Sequence, residues 1–410
     1  MESAPRLWYD LSGLAVHSGN VTGITRAVSG VARALLSGAI ATPTHFCVWR
    51  ERRGYFEVSH EAAAEVFASL GRRPRRDWPA LRKLAFRARK AIAGKPVLVA
   101  PFAPGDVLLN LGFANHIGQQ RAWIASDLAP RGVHFVGFIY DVLVLRRPEW
   151  WTPELQRITE TFFEGIARNA SMILCCSDAT RRDVLWFCDR IGVAPPPPIE
   201  TVRLAGDLPA AAPGDRPAAP PRARPYVLFV STLDVRKNHR LLFQVWKRLI
   251  AAHGAEQVPD LVCVGRKGDL VDDFLAELAN ARHLGGRIAV EHRVTDAELV
   301  RLYEGCLFTV YPSLFEGWGI PVTESLHFGK YCVASSAGSL PEVAGDLVDY
   351  HDPFDLRGAY ALIERAIFDP AFREQREKDI RARATRYTWA DCVRSLERSL
   401  SPLLRRDVAS

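Results

Sequence analysis

The 410-residue chain lacks most of the short motifs that mark common chemistries. It has no C-x-x-C and no histidine cluster at metal spacing, so no structural zinc site is expected. A G-x-x-x-x-G-K-[ST] phosphate loop is missing, and no G-x-G-x-x-G follows the first predicted strand. The Gly-x-Ser-x-Gly elbow of serine hydrolases is absent. Asp-x-Asp occurs nowhere, which weakens the case for a metal-held sugar nucleotide. No apolar run reaches bilayer length, since "VHFVGFIYDVLVL" is interrupted by Asp141. The first ten residues read as a polar tip and a short strand, so a cleaved signal is not expected. The 8 cysteines, with Cys175 and Cys176 inside an apolar strand, are expected to be buried reduced thiols of a cytoplasmic protein.

What is present points to a globular enzyme. The length exceeds one ordinary core and implies two domains, or three. Hydrophobic residues make up 48% and charged residues 24%, ordinary values for a soluble protein. The net charge of +7 favours an anionic partner: a nucleotide, an acidic lipid surface or nucleic acid.

Short apolar strands alternate with amphipathic helices along the chain. "RLWYD", "DVLLNLG", "VHFVGFIYD" and "ASMILCCS" are strands, and "ITRAVSGVARALL", "PELQRITETFFEGIARN" and "DATRRDVLWFC" are helices. The stretch 209–225 is nearly all Pro, Ala, Gly and charge and reads as a linker. After it the alternation resumes, with strands "YVLFVS", "DLVCVG", "LFTVYPS" and "YCVASS". Such alternation means parallel strands with helical crossovers. The predicted architecture is therefore α/β, with two doubly wound domains facing across a cleft. The first spans 1–208 and the second 226–384, and the remainder, 385–410, forms a terminal helix. Ligands of such sheets sit at the carboxyl ends of strands.

"FEGWGIPVTES" places Glu316 and Glu324 around Gly317, Gly319 and Pro321. Glu316 falls in the loop after a strand, and Glu324 falls about one turn into the next helix. Pro321 suits that helix's first turn and Gly329 its end. Glycines let backbone N–H groups approach a ligand, and a helix start receives anions. The arrangement suits a nucleotide diphosphate sugar, with one carboxylate on the ribose and the other on the sugar. Two solvent-facing glutamates around an ordinary turn would produce the same string. "FVSTLDVRKNH" adds Arg236 and Lys237 at another strand end, where two cations can neutralise a diphosphate. In the first half, "GNVTGIT" offers Gly23 at a helix start as a second anion cradle.

Together these residues resemble a retaining glycosyltransferase of family 4 with the GT-B fold, over nearly the whole chain. Glu316 and Glu324 match that family's E-x7-E motif, and "STLDVRKN" resembles its diphosphate loop. "VTGITR", "VTDAELVRLYEGC", "AGSLPEVAGD" and "IYDVLVLRRPEWW" resemble further family segments, and "TRYTWADCVRSL" resembles its terminal helix, which returns to the first domain. The resemblance implies donor binding by Gly23, Arg236, Lys237, Gly317, Trp318, Gly319, Ile320 and Glu324, and catalytic roles for Glu316, Asp141 and Lys237. Two positions depart from the pattern. Thr232 stands where many members have arginine, leaving Arg236 to supply the charge. Tyr140 stands where many have histidine, leaving Asp141 that role.

By the same resemblance the enzyme needs no metal or other cofactor. Its partners are a nucleotide-sugar donor, favouring GDP-mannose or a GDP-deoxyhexose over a UDP-sugar, and a glycan or lipid-linked acceptor of bacterial surface polysaccharide. The competing readings are a GT-B sugar-nucleotide epimerase or phosphorylase, and a non-catalytic binding protein on the same fold.

The insert 71–95 carries ten Lys and Arg residues and one acid, Asp77. As a helix it would place Trp78, Leu81, Leu84 and Ala88 on one side, a pattern suited to an anionic membrane surface. A solvated arm or a site for a polyanionic acceptor has the same composition. Without interleaved aromatic platforms, nucleic acid is not expected as the partner. The expected location is the cytoplasm, with peripheral attachment to the inner face of the membrane.

Overall fold

The computed structural model describes residues 4–15, 22–50, 53–69, 100–112, 124, 128–208 and 222–405. The basic insert 71–95 and residues 209–221 of the linker lie outside the described residues. The chain divides into two compact units. One holds the chain through Pro148, Thr152–Leu204 and everything from Trp389 onward; the other holds Glu149–Trp151 and Ala205–Thr388.

The first unit is built on a seven-stranded sheet of order β3-β2-β1-β4-β5-β6-β7. Its strands are β1 (Leu7–Asp10), β2 (Thr44–Arg50), β3 (Gly54–Val58), β4 (Val107–Asn110), β5 (His134–Ile139), β6 (Met172–Cys175) and β7 (Ile199–Thr201). All pairs are parallel except β2 with β3. The central strands β1, β4 and β6 are buried throughout, which is why they read as unbroken apolar runs. The helix Gly23–Leu36 begins with a capping box between Thr22 and Thr25. The helix Trp389–Leu404 packs on it, burying Trp389, Cys392, Val393, Leu396 and Leu400. The Trp389 ring lies so close to Gly30 that a Cβ there would run into it. Glu397 of that last helix accepts from Thr42 N (3.1 Å) and Thr42 Oγ1 (2.6 Å), tying it to the turn before β2.

The second unit is a six-stranded, wholly parallel sheet of order β10-β9-β8-β11-β12-β13. Its strands are β8 (Tyr226–Val230), β9 (Asp260–Val264), β10 (Ile288–Glu291), β11 (Thr309–Tyr311), β12 (Cys332–Ser335) and β13 (Asp349–His351). Alternate residues of β8 serve opposite faces. Val227 and Phe229 join Leu242, Trp246 and Phe308 in one core, while Tyr226 and Leu228 join Leu299, Leu302 and Tyr303 in the other. Each such side chain contributes about 1.5–3 kcal/mol by leaving water. The strand order reverses between β8 and β11, and in the first unit between β1 and β4. Those are the points where a doubly wound sheet opens a crevice at its carboxyl edge.

Five strands were not predicted by the sequence pattern: β2, β3, β7, β10 and β13. Four of them are sheet edges. An edge strand has one neighbour and buries less, so it shows no continuous apolar run.

Candidate active site

The reversal point of the second sheet carries the charged cluster. Pairing of β8 with β9 continues past both strands, through Ser231 N to Val264 O (2.9 Å) and Leu233 N to Arg266 O (2.8 Å). A single 3-10 turn, Val235–Lys237, follows. It delivers Lys237, only 6% exposed, against the loop that leaves β11. Lys237 Nζ donates to Glu316 Oε1 (2.5 Å) and to the Tyr311 hydroxyl (3.1 Å). Arg236 Nη1 donates to Glu316 Oε2 at 3.2 Å, and its Nε stands 3.6 Å from Asp234 Oδ2. Each oxygen of Glu316 thus faces its own cation, although 79 positions separate Glu316 from Lys237 in the chain.

Electrostatics follow from this packing. Burial alone would push the Glu316 carboxyl up; Lys237 and Arg236 outweigh that and hold it below the usual glutamate range. Burial and the like charge of Arg236 draw the Lys237 ammonium below the usual lysine range, with Glu316 opposing them. Next to it, His239 is buried between the rings of Phe229 and Phe274. Burial, then the charge of Lys237, pushes its pKa down to about 3, so it is neutral at working pH.

The glutamate loop itself is fixed from two sides. Gly319 has φ 101°, a left-handed conformation that admits glycine, and it caps the helix Ile320–His327 with Pro321 in the first turn. Gly329, at φ 64°, lies just past its end. Ser339 Oγ donates to the carbonyls of Glu316 (3.2 Å) and Trp318 (3.0 Å), and Ser339 N donates to Glu316 O (3.1 Å). Glu324 lies one turn into the helix and is 1% exposed; its Oε2 accepts from the Tyr303 hydroxyl at 2.6 Å. Glu316 is 5% exposed. These burials exclude a solvent-facing turn. The second unit brings Arg236, Lys237 and Glu316 into contact, and carries Gly317, Trp318, Gly319, Ile320 and Glu324 on the loop and helix that follow.

Gly23 and Asp141 belong to the other unit. Gly23 opens the helix Gly23–Leu36. Asp141 lies just past β5, half-buried, with Oδ1 accepting from Leu143 N at 3.1 Å. Tyr140 is turned inward, donating to Leu111 O at 2.9 Å, while its carbonyl accepts from Thr180 Oγ1 at 3.0 Å. At the reversal point of this sheet Asp10 is 1% exposed. It accepts from Ser12 N (2.8 Å), the Ser12 hydroxyl, Tyr55 OH (3.2 Å) and Asn110 Nδ2 (2.7 Å). Burial raises its pKa, and those hydrogen bonds oppose the rise.

Sequence reading missed Tyr311, Tyr303, Ser339 and Trp151. The Trp151 ring lies 5.8 Å from the Arg236 guanidinium. Tyr311 and Tyr303 look like core residues in a strand and an amphipathic helix, and only their hydroxyl partners reveal the role. Ser339 carried one signal: it precedes Leu-Pro-Glu at a helix start. Among the described residues, no group of three His, Cys, Asp or Glu could hold a metal ion. No described helix is long and apolar enough to cross a membrane.

Residues 215–383 match the family described as glycosyl transferases group 1. The chain is 29% identical over 293 residues to the O-antigen chain mannosyltransferase B of Escherichia coli, covering 67% of this chain and 75% of that one. It is 26% identical over 244 residues to the serotype-specific mannosyltransferase WbdA of Escherichia coli, covering 57% of this chain but 29% of that much longer relative. Among solved structures, Anabaena Alr3699/HepE in complex with UDP-glucose superposes with TM-score 0.64 at 16% identity, over 97% of this chain and 99% of that one. The sucrose-phosphate synthase of Thermosynechococcus elongatus gives TM-score 0.62 at 18% identity, over 98% and 99%.

Proposed function

We propose, from the premise that this chain is a glycosyltransferase of GT-B fold with a group 1 domain at residues 215–383, that it transfers a hexosyl group with retention from a nucleotide diphosphate sugar. The donor is GDP-mannose or a GDP-deoxyhexose, and the acceptor is a glycan or lipid-linked glycan of bacterial surface polysaccharide. Likeness to the two mannosyltransferases of Escherichia coli supports the donor. The observation that carries the reading is the cluster of Lys237, Arg236 and buried Glu316 at the carboxyl ends of β8 and β11.

In this reading the diphosphate enters against Lys237 and Arg236, which spread its charge as it leaves. Glu316 exchanges part of its hold on those cations for the sugar hydroxyls. Glu324 receives the ribose hydroxyls. The bond from the anomeric carbon to the diphosphate oxygen breaks as the acceptor oxygen bonds to the same face. The acceptor proton passes to the departing diphosphate. Asp141 lies on the acceptor side. Two fixed cations supply the charge that a metal ion supplies elsewhere, and the insert 71–95 holds the enzyme to an anionic membrane face.

The test is a panel of GDP- and UDP-sugars, read by nucleotide release with and without chelator and by the configuration of the product. Release from GDP-mannose or a GDP-deoxyhexose with retained configuration and no effect of chelator is expected. Silence across the panel would overturn the transfer reading, inversion the retaining one, and loss with chelator the metal-free one. Loss of anionic-vesicle binding on changing Arg72, Arg73, Arg75 and Arg76 to Ser tests the insert; unchanged binding at low salt removes it from that role.

A further inference from the structure

We propose that Asn238 is a positioning residue for the transfer step, one that sets Lys237 by tying three loops together. The inference rests on the reading of Lys237 as a phosphate-holding group.

Asn238 follows Lys237 and has φ 59° and ψ 37°, the left-handed region that asparagine tolerates and most side chains do not. This reversal ends the 3-10 turn and starts the helix His239–His253. An asparagine at the start of a helix ordinarily caps it with its side chain. Here the side chain makes no capping bond. Its Nδ2 instead donates to Pro312 O at 3.2 Å and to Pro353 O at 2.9 Å. Pro312 begins the loop that runs from β11 to Glu316, and Pro353 follows β13. One amide therefore holds the loops leaving β8, β11 and β13 in register at the carboxyl edge of the sheet.

The consequence falls on Lys237. Its Nζ meets Glu316 only if the β8 and β11 loops keep their spacing. A second tie, Leu314 N to Arg236 O at 2.7 Å, lies on the same two loops, one residue to the other side of Lys237. The ammonium is thus bracketed by bonds at both flanking residues. Asn238 satisfies two demands together: a left-handed backbone, and two N–H groups aimed at carbonyls on different loops. Glycine meets only the first demand. Aspartate meets the first but places a carboxylate beside two carbonyl oxygens.

The variants Asn238→Gly and Asn238→Asp, each in the full chain, separate these demands. With GDP-mannose as donor, both should lose kcat by about tenfold or more while KM stays within about threefold, because Lys237 acts most strongly as charge develops. Asn238→Gly should melt within a few degrees of wild type. Unchanged kcat per folded molecule in both variants would overturn the proposal, as would a loss that merely tracks the folded fraction. A wild-type enzyme inert toward every nucleotide sugar would count against the proposed reaction and leave the geometry to be read with inorganic pyrophosphate. Pyrophosphate should raise the wild-type melting midpoint and raise that of Asn238→Asp less. Equal shifts in both, or none in wild type, would overturn the role of Asn238.

Discussion

Each sheet buries one carboxylate where its strand order reverses, and the two are held in opposite ways. Asp10, at the end of β1, is surrounded by neutral donors from Ser12, Tyr55 and Asn110. Tyr55 belongs to β3 and Asn110 to β4. Ser12 also accepts from Trp49 N of β2 at 2.6 Å. With Ser12 the carboxyl ties four strands; burial raises its pKa, and the neutral donors oppose the rise. Glu316, at the matching point of the second sheet, is held by two cations, and its pKa falls. Neutral donors already spent on a buried carboxylate fix its geometry and bring no net charge to an incoming anion. Cations can exchange one anionic partner for another. The first carboxylate locks a scaffold; in the proposed reading the second keeps a binding charge in place until a phosphate arrives.

The two respond to acid with opposite sign. Because the Glu316 pKa is depressed, its stabilisation is present above the ordinary glutamate value of about 4.3 and is lost as pH falls through the lower folded value. The raised Asp10 pKa makes its contribution present at low pH and lost as pH rises through the folded value.

Breaking the ionic site should have the largest effect. Lys237→Ala should lower donor turnover by about 100- to 1000-fold, the scale for removing one charge-stabilising donor. It should also cost about 3 kcal/mol of stability, since Arg236 alone then faces a buried carboxylate. Adding Glu316→Ala should recover much of that stability and none of the turnover. Steady-state kinetics with urea unfolding of the single and double variants checks this, and near-normal turnover in the single variant would end the comparison. Asp10→Asn should be a stability change alone, of about 2–3 kcal/mol, because an amide nitrogen then faces donors that need an acceptor. Nucleotide release per folded molecule should persist; its loss at unchanged stability would make Asp10 part of a reaction site.

The smallest effect sharpens the electrostatic account. Neutral, buried His239 has a folded pKa of about 3, against an unfolded value of about 6.5, so the unfolded chain takes up a proton first on acidification. Stability should fall by about 2 kcal/mol between pH 7 and pH 5 from this residue. His239→Phe should flatten that part of the profile. An identical slope in the variant would show that another group carries it.

Much of this was legible because the central strands are buried on both faces. "YVLFVS" and "ASMILCCS" could be little else, and the helix Pro153–Asn169 was read to the residue from its apolar spacing. The E-x7-E string named both glutamates, and "DVRKN" named both cations. The pairing of Lys237 with Glu316 was not legible, since no local pattern links positions 79 apart. Neither was the inward turn of Asp10, a polar residue closing an apolar strand. Its partners come from β3, a short edge strand, and from a distant asparagine. What the sequence encodes weakly is contact between elements that are each unremarkable alone.

The return of the chain to its first unit has a consequence for biosynthesis. Helix Trp389–Leu404 supplies five buried residues to that unit, with Trp389 seated on Gly30. During synthesis the ribosome makes the whole second unit before this helix emerges. The first unit therefore cannot be completed before the second is made, whereas domains ordinarily fold from the amino-terminal end. The second unit can close while the first still exposes the face of the helix Gly23–Leu36 that Trp389 will cover. A nascent chain stalled before residue 389 would present that apolar strip to chaperones, and its release would complete the oldest part of the polypeptide last.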